Sequence, residues 1–481
     1  MGRPLFTLTL ERFGRIREAE LTIRPLTIFI GENGTNKSWT MAAAYAFANE
    51  ARYEQDAQPL VVLDELRNRV PVEESTEPVD DIEEPVSNLR YRTTWEKLTQ
   101  FLPTSTSATL SREGLARLLG VRSFEVAQAT ARATYHRREN PKAGPVTFYV
   151  DERAAENVQA NHDCVVIETN GFASSLRWRG KFGAFKPGGD DFAELPAPLV
   201  HRLLNASLQS SHLLPADRIG LTQMVGRVGI DGLGTLDEVR KRFLDFYQQS
   251  IRIAEELERS GKQLRGWGGR GEEIQITSAG EVLDLLFNGK LEPDSSGTQL
   301  LLRSPSFTLP LHATASLTQS LASLRLFLRG WSVEHNGLHS FLAIDEPEAH
   351  AHPNAIRDVT DVLATLSSIG HTVVASTHTP YLTDHLLNLL AAWRAGLATG
   401  ERTLHDPATG YTMPQSAMLD PEDVAVYEFR VVGDAVVVED VLDRELFLLN
   451  TGSFGEVSAS LNNTYLELLD EIETPTDAAS I

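Results

Sequence analysis

Four short stretches carry residues whose types and spacing could do chemistry. Leu26-Thr-Ile-Phe-Ile-Gly31-Glu-Asn33-Gly34-Thr35-Asn36-Lys37-Ser38-Trp39 is an apolar run, a glycine-containing loop and a lysine-serine pair. Such a loop can cradle phosphate: backbone N–H groups converge on the oxygens, a lysine reaches the β/γ-phosphates, and a hydroxyl holds Mg²⁺. Phe341-Leu-Ala-Ile-Asp345-Glu346-Pro347-Glu348 is an apolar run ending in adjacent carboxylates. At a strand end beside a phosphate loop, the first can support Mg²⁺ and the second can orient or deprotonate an attacking water. Gly370-His-Thr-Val-Val-Ala-Ser-Thr-His378 ends a further apolar run in a histidine able to donate to a γ-phosphate. Ala313-Thr-Ala-Ser316-Leu-Thr-Gln319-Ser320 precedes a helical stretch, Leu321 to Arg329. A serine there is ordinarily an N-cap, yet hydroxyl, amides and dipole together also suit an anion.

The phosphate loop departs from G-x-x-x-x-G-K-[ST] at one position, where Asn36 stands for the last glycine. Glycine suits that place because the backbone needs positive φ and close approach, and asparagine tolerates positive φ better than most residues. The loop is therefore expected to keep its shape.

The elements that must position these residues read as an α/β fold. Residues 5–12 and 18–24 alternate apolar and polar around a turn at Phe13-Gly14, and a third strand, Leu26 to Ile30, delivers the loop. Ser38 to Ala51 reads as a helix. Residues 73–84, dense in Glu, Asp and Pro, read as a solvated loop. Trp95 to Leu102 and Ser111 to Arg138 are helical in pattern, whereas Val146 to Val150, Cys164 to Glu168 and Ser174 to Trp178 read as strands. Asp217-Arg218 follows a short strand, as a structural ion pair or as part of the nucleotide interface. Thr235-Leu-Asp-Glu238 reads as a capping box opening a helix that stops at Ser260-Gly261. Residues 273–277, 299–303 and 306–311 read as short strands, and Asp434 to Arg444 as a strand and a helix.

Composition narrows the class. The chain has 481 residues, 42% hydrophobic and 23% charged, with a net charge of −22. That balance argues against a surface coated for nucleic acid and leaves room for local basic patches, at Arg137, Arg138 and Lys142 or at Lys262, Arg265 and Arg270. One cysteine, Cys164, gives no intrachain disulfide and no cysteine metal cluster. His350 and His352 could suggest a metal pair, but packing at a helix turn is the stronger reading. No apolar run is long enough to cross a membrane, and a cytoplasmic protein is expected.

Taken in order, strand-F-G-strand, phosphate loop, A-S-L-T-Q, F-L-A-I-D-E-P-E-A-H-A-H-P and A-S-T-H-T-P-Y-L resemble the ABC-type ATPase heads of the SMC, RecF and OLD-like AAA proteins. Within that superfamily the chain is most similar to ATPase subunits of anti-phage defence systems of the Septu and PARIS types. The resemblance implies an ABC-type head with a mixed sheet and flanking helices, carrying a mainly helical insertion and a short helical arm. Its divisions would be an N-terminal lobe (1–52), an inserted region (53–208), a strand and arm (209–270), a C-terminal lobe (271–440) and a helical tail (441–481). It implies ATP and Mg²⁺ as cofactors, held by Gly31, Asn33, Gly34, Thr35, Asn36, Lys37, Ser38 and Trp39, with Ser38 and Asp345 at the metal. It also implies Glu346 as catalytic base, His378 as switch histidine, and Ser316 with Gln319 as the signature that meets ATP across a homodimer. Leu317-Thr318 stand where the family has glycine, which, like Asn36, points to slow hydrolysis. A separate nuclease or toxin would be the effector, with DNA a further partner; a stand-alone DNA-clamping ATPase is the alternative.

Overall fold

The computed structural model describes residues 5–48, 73–74, 88–94, 105–136, 145–151, 165–169, 172–178, 208–228, 236–260, 270–295, 297–334, 339–399 and 403–451. Its centre is a ten-stranded mixed sheet. In chain order the strands are β1 (Phe6–Phe13), β2 (Ile16–Ile23), β3 (Leu26–Gly31), β4 (Ser105–Thr109), β5 (Thr130–His136), β6 (Leu208–Leu214), β7 (His339–Asp345), β8 (Thr372–Thr377), β9 (Val424–Val432) and β10 (Ala435–Asp440). They lie in the order β6-β7-β8-β3-β9-β10-β2-β1-β5-β4. The helices are α1 (Lys37–Ala48), α2 (Arg112–Leu119), α3 (Arg218–Val228), α4 (Glu238–Ser260), α5 (Arg270–Phe287), α6 (Ser316–Glu334), α7 (Pro353–Ser368) and α8 (Pro380–Arg394).

The sheet divides by strand direction, and the sequence shows why. From β6 to β9 neighbouring strands run parallel. Strands covered on both faces read as continuous apolar runs, and every residue of β3 is buried. Leu26, Ile28 and Ile30 join a core shared with α6, α7 and α8, while Phe29 joins a second core with α1 and the β1–β2 hairpin. The other half, β2-β1-β5-β4, is antiparallel, and its strands alternate. β1 buries Phe6, Leu8 and Leu10 on one face, the period expected of a half-covered strand.

Parallel pairing sets the site. Asp345 pairs with Ser376 in the β7–β8 register, and Thr377 pairs with Ile30 in the β8–β3 register. The carboxyl ends of β7, β8 and β3 therefore meet at one edge, where ligands collect in open α/β sheets. Gly31 must be glycine there: φ is +133° and a Cβ would fall 2.2 Å from the Phe429 carbonyl oxygen of β9.

Several expectations are corrected. The described part of the inserted region is mainly β. The described residues of Ser111–Arg138, 111–136, hold the short α2 followed by β5, because Ala131, Ala133 and Tyr135 alternate inward with Arg132 exposed; the small and β-branched run has period 2. Glu73–Glu74 form a short strand in a separate antiparallel sheet with Asn88–Thr94, Pro145–Asp151, Val165–Thr169 and Phe172–Trp178. Residues 273–277 are helical, inside α5, the helix that buries Ala279, Leu283 and Phe287 at helical spacing. The cap of α4 is Asp237, whose Oδ1 accepts from the Arg240 N–H at 2.9 Å. No helix forms over Val441–Arg444. Asp440 and Asp443 side chains take the N–H groups of Leu442, Glu445 and Leu446, local bonds that compete with a helix. Trp95–Leu102, Cys164, Thr235 and residues 452–481 lie outside the described residues. Among the described residues, no helix is long and apolar enough to cross a membrane.

Candidate nucleotide site

The phosphate loop folds as its glycine-and-asparagine pattern requires. Asn36 sits at φ 68°, and the first helical bond of α1 runs from the Thr40 N–H to the Asn36 carbonyl oxygen at 2.9 Å. The Asn36 side chain has a second task. Its Oδ1 accepts the Arg15 N–H at 3.0 Å, tying the loop to the β1–β2 turn. Gly14, at φ +61°, leaves room for this contact, since a Cβ there would come within 2.4 Å of Asn36 Nδ2.

Lys37 is buried at the heart of the loop. Its ammonium donates to the carbonyl oxygens of Gly31 at 2.8 Å and Glu32 at 2.6 Å, and lies 3.4 Å from Thr35 Oγ1. Burial pulls its pKa down from 10.5 to about 8, against the raising effect of Asp345, Glu346, Glu32 and Glu348. A lysine in this position holds the loop closed upon itself and has its charge free to meet an anion. The first turn of α1 contains no acidic residue, so nothing opposes its N-terminal partial charge. Asn33, Gly34 and Ser38 are exposed. Thr35 turns inward, donating to the Glu32 carbonyl at 2.7 Å. Trp39 lies edge-on to Phe13, centroids 6.1 Å apart, and anchors α1 to β1.

The end of β7 faces β8. Ser376 Oγ donates to Asp345 Oδ1 and accepts the Glu346 N–H at 3.2 Å. Glu346 takes φ 49°, an unfavourable conformation for a non-glycine residue and one that clusters at functional sites. Its Oε1 lies 3.5 Å from His378 Nε2. The His378 imidazole is held below its usual 6.5, first by burial and then by the Lys37 charge, against Glu346 and Asp345. Lys37, Asp345, Glu346 and His378 are thus within one electrostatic neighbourhood.

Arg218 organises this edge, through neutral acceptors and not through the ion pair with Asp217 that is one of the two expectations. It is 1% exposed. Its Nε donates to the Ser320 carbonyl at 2.7 Å and Nη2 to Ser320 Oγ at 2.6 Å. Nη1 donates to the Pro215 and Asp345 carbonyls at 3.0 and 2.6 Å, and Nη2 to the Glu346 carbonyl at 2.9 Å. All five are neutral acceptors, and burial pulls its pKa from 12.5 to about 10. Asp217 instead accepts from Arg240 Nε at 2.7 Å. The sequence signal was an arginine directly after a strand end and the Pro215 turn; nothing in it announced burial.

Ser316 and Gln319 part company. Ser316 is exposed as the first residue of α6. Gln319 is buried, donating to the Thr314 carbonyl at 2.8 Å and accepting from Gln223 Nε2 at 2.7 Å. Its side chain braces the segment leading into α6. His352 accepts the Asn354 N–H as N-cap of α7, and His350 is exposed at φ 66°, so the pair serves the turn. Among the described residues, no group of three or more His, Cys, Asp or Glu could hold a metal.

That donor set still fits Mg²⁺ bound with a nucleotide. Mg²⁺ is held by one or two carboxylates together with substrate phosphates and water, and Asp345 with Ser38 supplies that much.

The chain resembles several solved structures at low identity. They include the Smc head domain with an extended coiled coil bound to the C-terminal domain of ScpA, from Pyrococcus furiosus (9% identity, TM-score 0.35, 98% of this chain and 100% of that chain). Others are the SMC head domain from Thermotoga maritima (12%, 0.31, 91% and 99%) and an SmcHead bound to the C-winged helix domain of ScpA (10%, 0.36, 92% and 100%). No curated protein sequence matches. Residues 236–383, a span holding Ser316, Gln319, Asp345, Glu346 and His378, match the family described as the AAA ATPase domain.

Proposed function

We propose that the chain is an ABC-type switch that binds and hydrolyses ATP as a homodimer and acts through a separate effector protein in anti-phage defence. The observation that carries the hydrolytic reading is the meeting, at one sheet edge, of Lys37 with Asp345, Glu346 and His378, three of them on parallel strand ends. The match over residues 236–383 supports the ATPase class; the defence role and the effector rest on the resemblance of the motifs.

In this reading the α1 amides and Lys37 bind the β/γ-phosphates, and Lys37 exchanges the carbonyls of Gly31 and Glu32 for phosphate oxygens. Asp345 and Ser38 would hold Mg²⁺, which would supply charge neutralisation at the phosphates. Glu346, partly exposed and held toward the cleft by its backbone, takes a proton from the attacking water. His378, neutral because of burial and Lys37, donates from its imidazole to the γ-phosphate. Ser316, exposed at the start of α6, offers its hydroxyl and amides to the partner's nucleotide.

Phosphate release by the wild type and by Glu346→Gln, together with ATP affinity, tests the reading. The variant is expected to bind ATP and lose turnover; a wild type without turnover overturns it. Salt-sensitive DNA affinity of the isolated protein, with no co-purifying nuclease or toxin, would favour the stand-alone DNA clamp. Of the candidate DNA contacts, Arg137, Arg138, Lys142, Lys262 and Arg265 lie outside the described residues.

A further inference from the structure

Glu348 is a third carboxylate at this edge, and the proposed chemistry leaves it unused. The chain turns sharply after β7, with the Ala349 N–H on the Glu346 carbonyl at 3.1 Å and the Ala351 N–H on the Glu348 carbonyl at 2.9 Å. That turn carries the Glu348 side chain back against the end of β8, where it is only 8% exposed. Its Oε1 accepts twice, from Thr377 Oγ1 at 2.6 Å and from the His378 N–H at 3.0 Å. Its Oε2 is buried without a hydrogen-bond partner.

The position of these bonds matters. β8 ends at Thr377, so the His378 N–H is the first beyond the strand and needs an acceptor of its own. Glu348 supplies it from the turn that follows the neighbouring strand. Two residues earlier the same logic runs the other way: Ser376 Oγ reaches Asp345 Oδ1 and takes the Glu346 N–H. Two consecutive β8 residues thus bond to carboxylates on either side of Glu346, one before it and one after. The imidazole of His378, the residue that follows them, lies 3.5 Å from Glu346. A buried, half-satisfied carboxylate is costly, and here its bonds go to the backbone and neighbour of the residue that must meet the phosphate.

We infer that Glu348 is a positioning residue that fixes His378 against Glu346 and so sets the geometry of hydrolysis. It is not a second base, since both of its bonds run within the protein and its free oxygen is enclosed. The inference rests on the hydrolytic reading above.

The test compares ATP turnover, ATP affinity and melting temperature in wild type, Glu348→Ala, Glu348→Gln and Thr377→Val. Glutamine keeps a carbonyl oxygen able to accept both bonds, and alanine does not. Glu348→Ala is expected to lower kcat about tenfold or more with affinity within about threefold, and Glu348→Gln to recover most of it. Thr377→Val, which at nearly constant volume removes the donor to Glu348 and the acceptor of the Thr379 N–H, is expected to lower kcat about threefold in a folded protein whose melting temperature falls by a few degrees. If Glu348→Ala does not fold, Thr377→Val decides alone. Wild-type kcat in the folded alanine variant, or in Thr377→Val, overturns the inference, as does a loss confined to KM or a glutamine variant as inactive as alanine. Absence of turnover in the wild type is a separate failure, since it removes the hydrolytic reading and Glu346→Gln then shows no difference either.

Discussion

Arg218 Nη2 donates at 2.9 Å to the carbonyl oxygen of Glu346, so the residue placed as catalytic base hangs by its backbone from a buried arginine. The same guanidinium holds Ser320 of α6 by carbonyl and hydroxyl. One cation therefore joins the helix that begins at Ser316 to the strand end at Asp345 and Glu346. Movement of α6 against a partner would reach Glu346 through this side chain.

Arg218→Met should therefore damage both stability and turnover. The apolar side chain removes all five guanidinium bonds in a water-excluded place; the Glu346 and Pro215 carbonyls keep the N–H groups of Ala349 and Arg218, and each acceptor left unpaired costs about 1–3 kcal/mol. The expected result is a melting temperature lower by several degrees and turnover reduced more than tenfold in whatever protein remains folded. Equal melting curves by calorimetry would show that the five bonds are worth little.

Much of this edge was legible from sequence because parallel strands buried on both faces leave continuous apolar runs with polar ends. Leu26–Gly31, Phe341–Asp345 and Thr372–Thr377 could be read that way, and so Lys37, Asp345, Glu346 and His378 could be gathered before any coordinates. Positions governed by partners distant in the chain were not legible. Arg218 bonds to residues more than a hundred positions away, and no local pattern marks its burial. Gln319 has the same spacing from Ser316 whether it faces outward or braces Thr314; only the packing of α3, through Gln223, decides. Ala and Arg in Ala131–Tyr135 suit a helix by propensity, and pairing with β1 overrode it.

Asn36 and Gly14 form a matched pair, and this predicts an order of effects on ATP affinity. Asn36→Gly keeps the positive φ and loses only the bond to Arg15, so a small weakening is expected. Asn36→Ala loses the bond and strains the backbone, and should weaken binding about tenfold. Gly14→Ala drives a Cβ into the Asn36 amide and should be as harmful, with part of the loss regained in the Gly14→Ala/Asn36→Gly double variant. Titration calorimetry with ATP and Mg²⁺ reads all four; equal affinities for Asn36→Ala and wild type would show that the loop does not depend on the clasp.

The depressed His378 pKa makes stability depend on pH in a definite direction. In the unfolded chain the imidazole takes a proton near 6.5, whereas in the folded protein burial and Lys37 hold it lower. Between those values the unfolded state binds more protons, so stability falls as pH drops from about 7 through 6.5 and toward the folded pKa. His378→Asn removes the titrating group. The melting temperature of wild type relative to His378→Asn, measured without nucleotide from pH 7.5 to 5, should therefore decline toward acid; a constant difference would place the imidazole in a solvated, unshifted environment.

The homodimer can be tested without knowing the effector. In a two-site sandwich each nucleotide lies between the phosphate loop of one protomer and Ser316 of the other, so the two machineries of a single site come from different chains. Lys37→Ala removes the ammonium, and Ser316→Arg fills the exposed start of α6 with a bulky side chain that prevents close approach. Each variant alone has no intact site. A dimer of one Lys37→Ala and one Ser316→Arg protomer has one site with both defects and one with neither, namely the loop of the second against the serine of the first. Mixing the two inactive proteins in equal amounts should then restore about a quarter of wild-type turnover, because half the dimers are mixed and each carries one good site. A protein that hydrolyses within a single protomer gives a different pattern: Ser316→Arg keeps its activity, and mixing adds nothing beyond dilution.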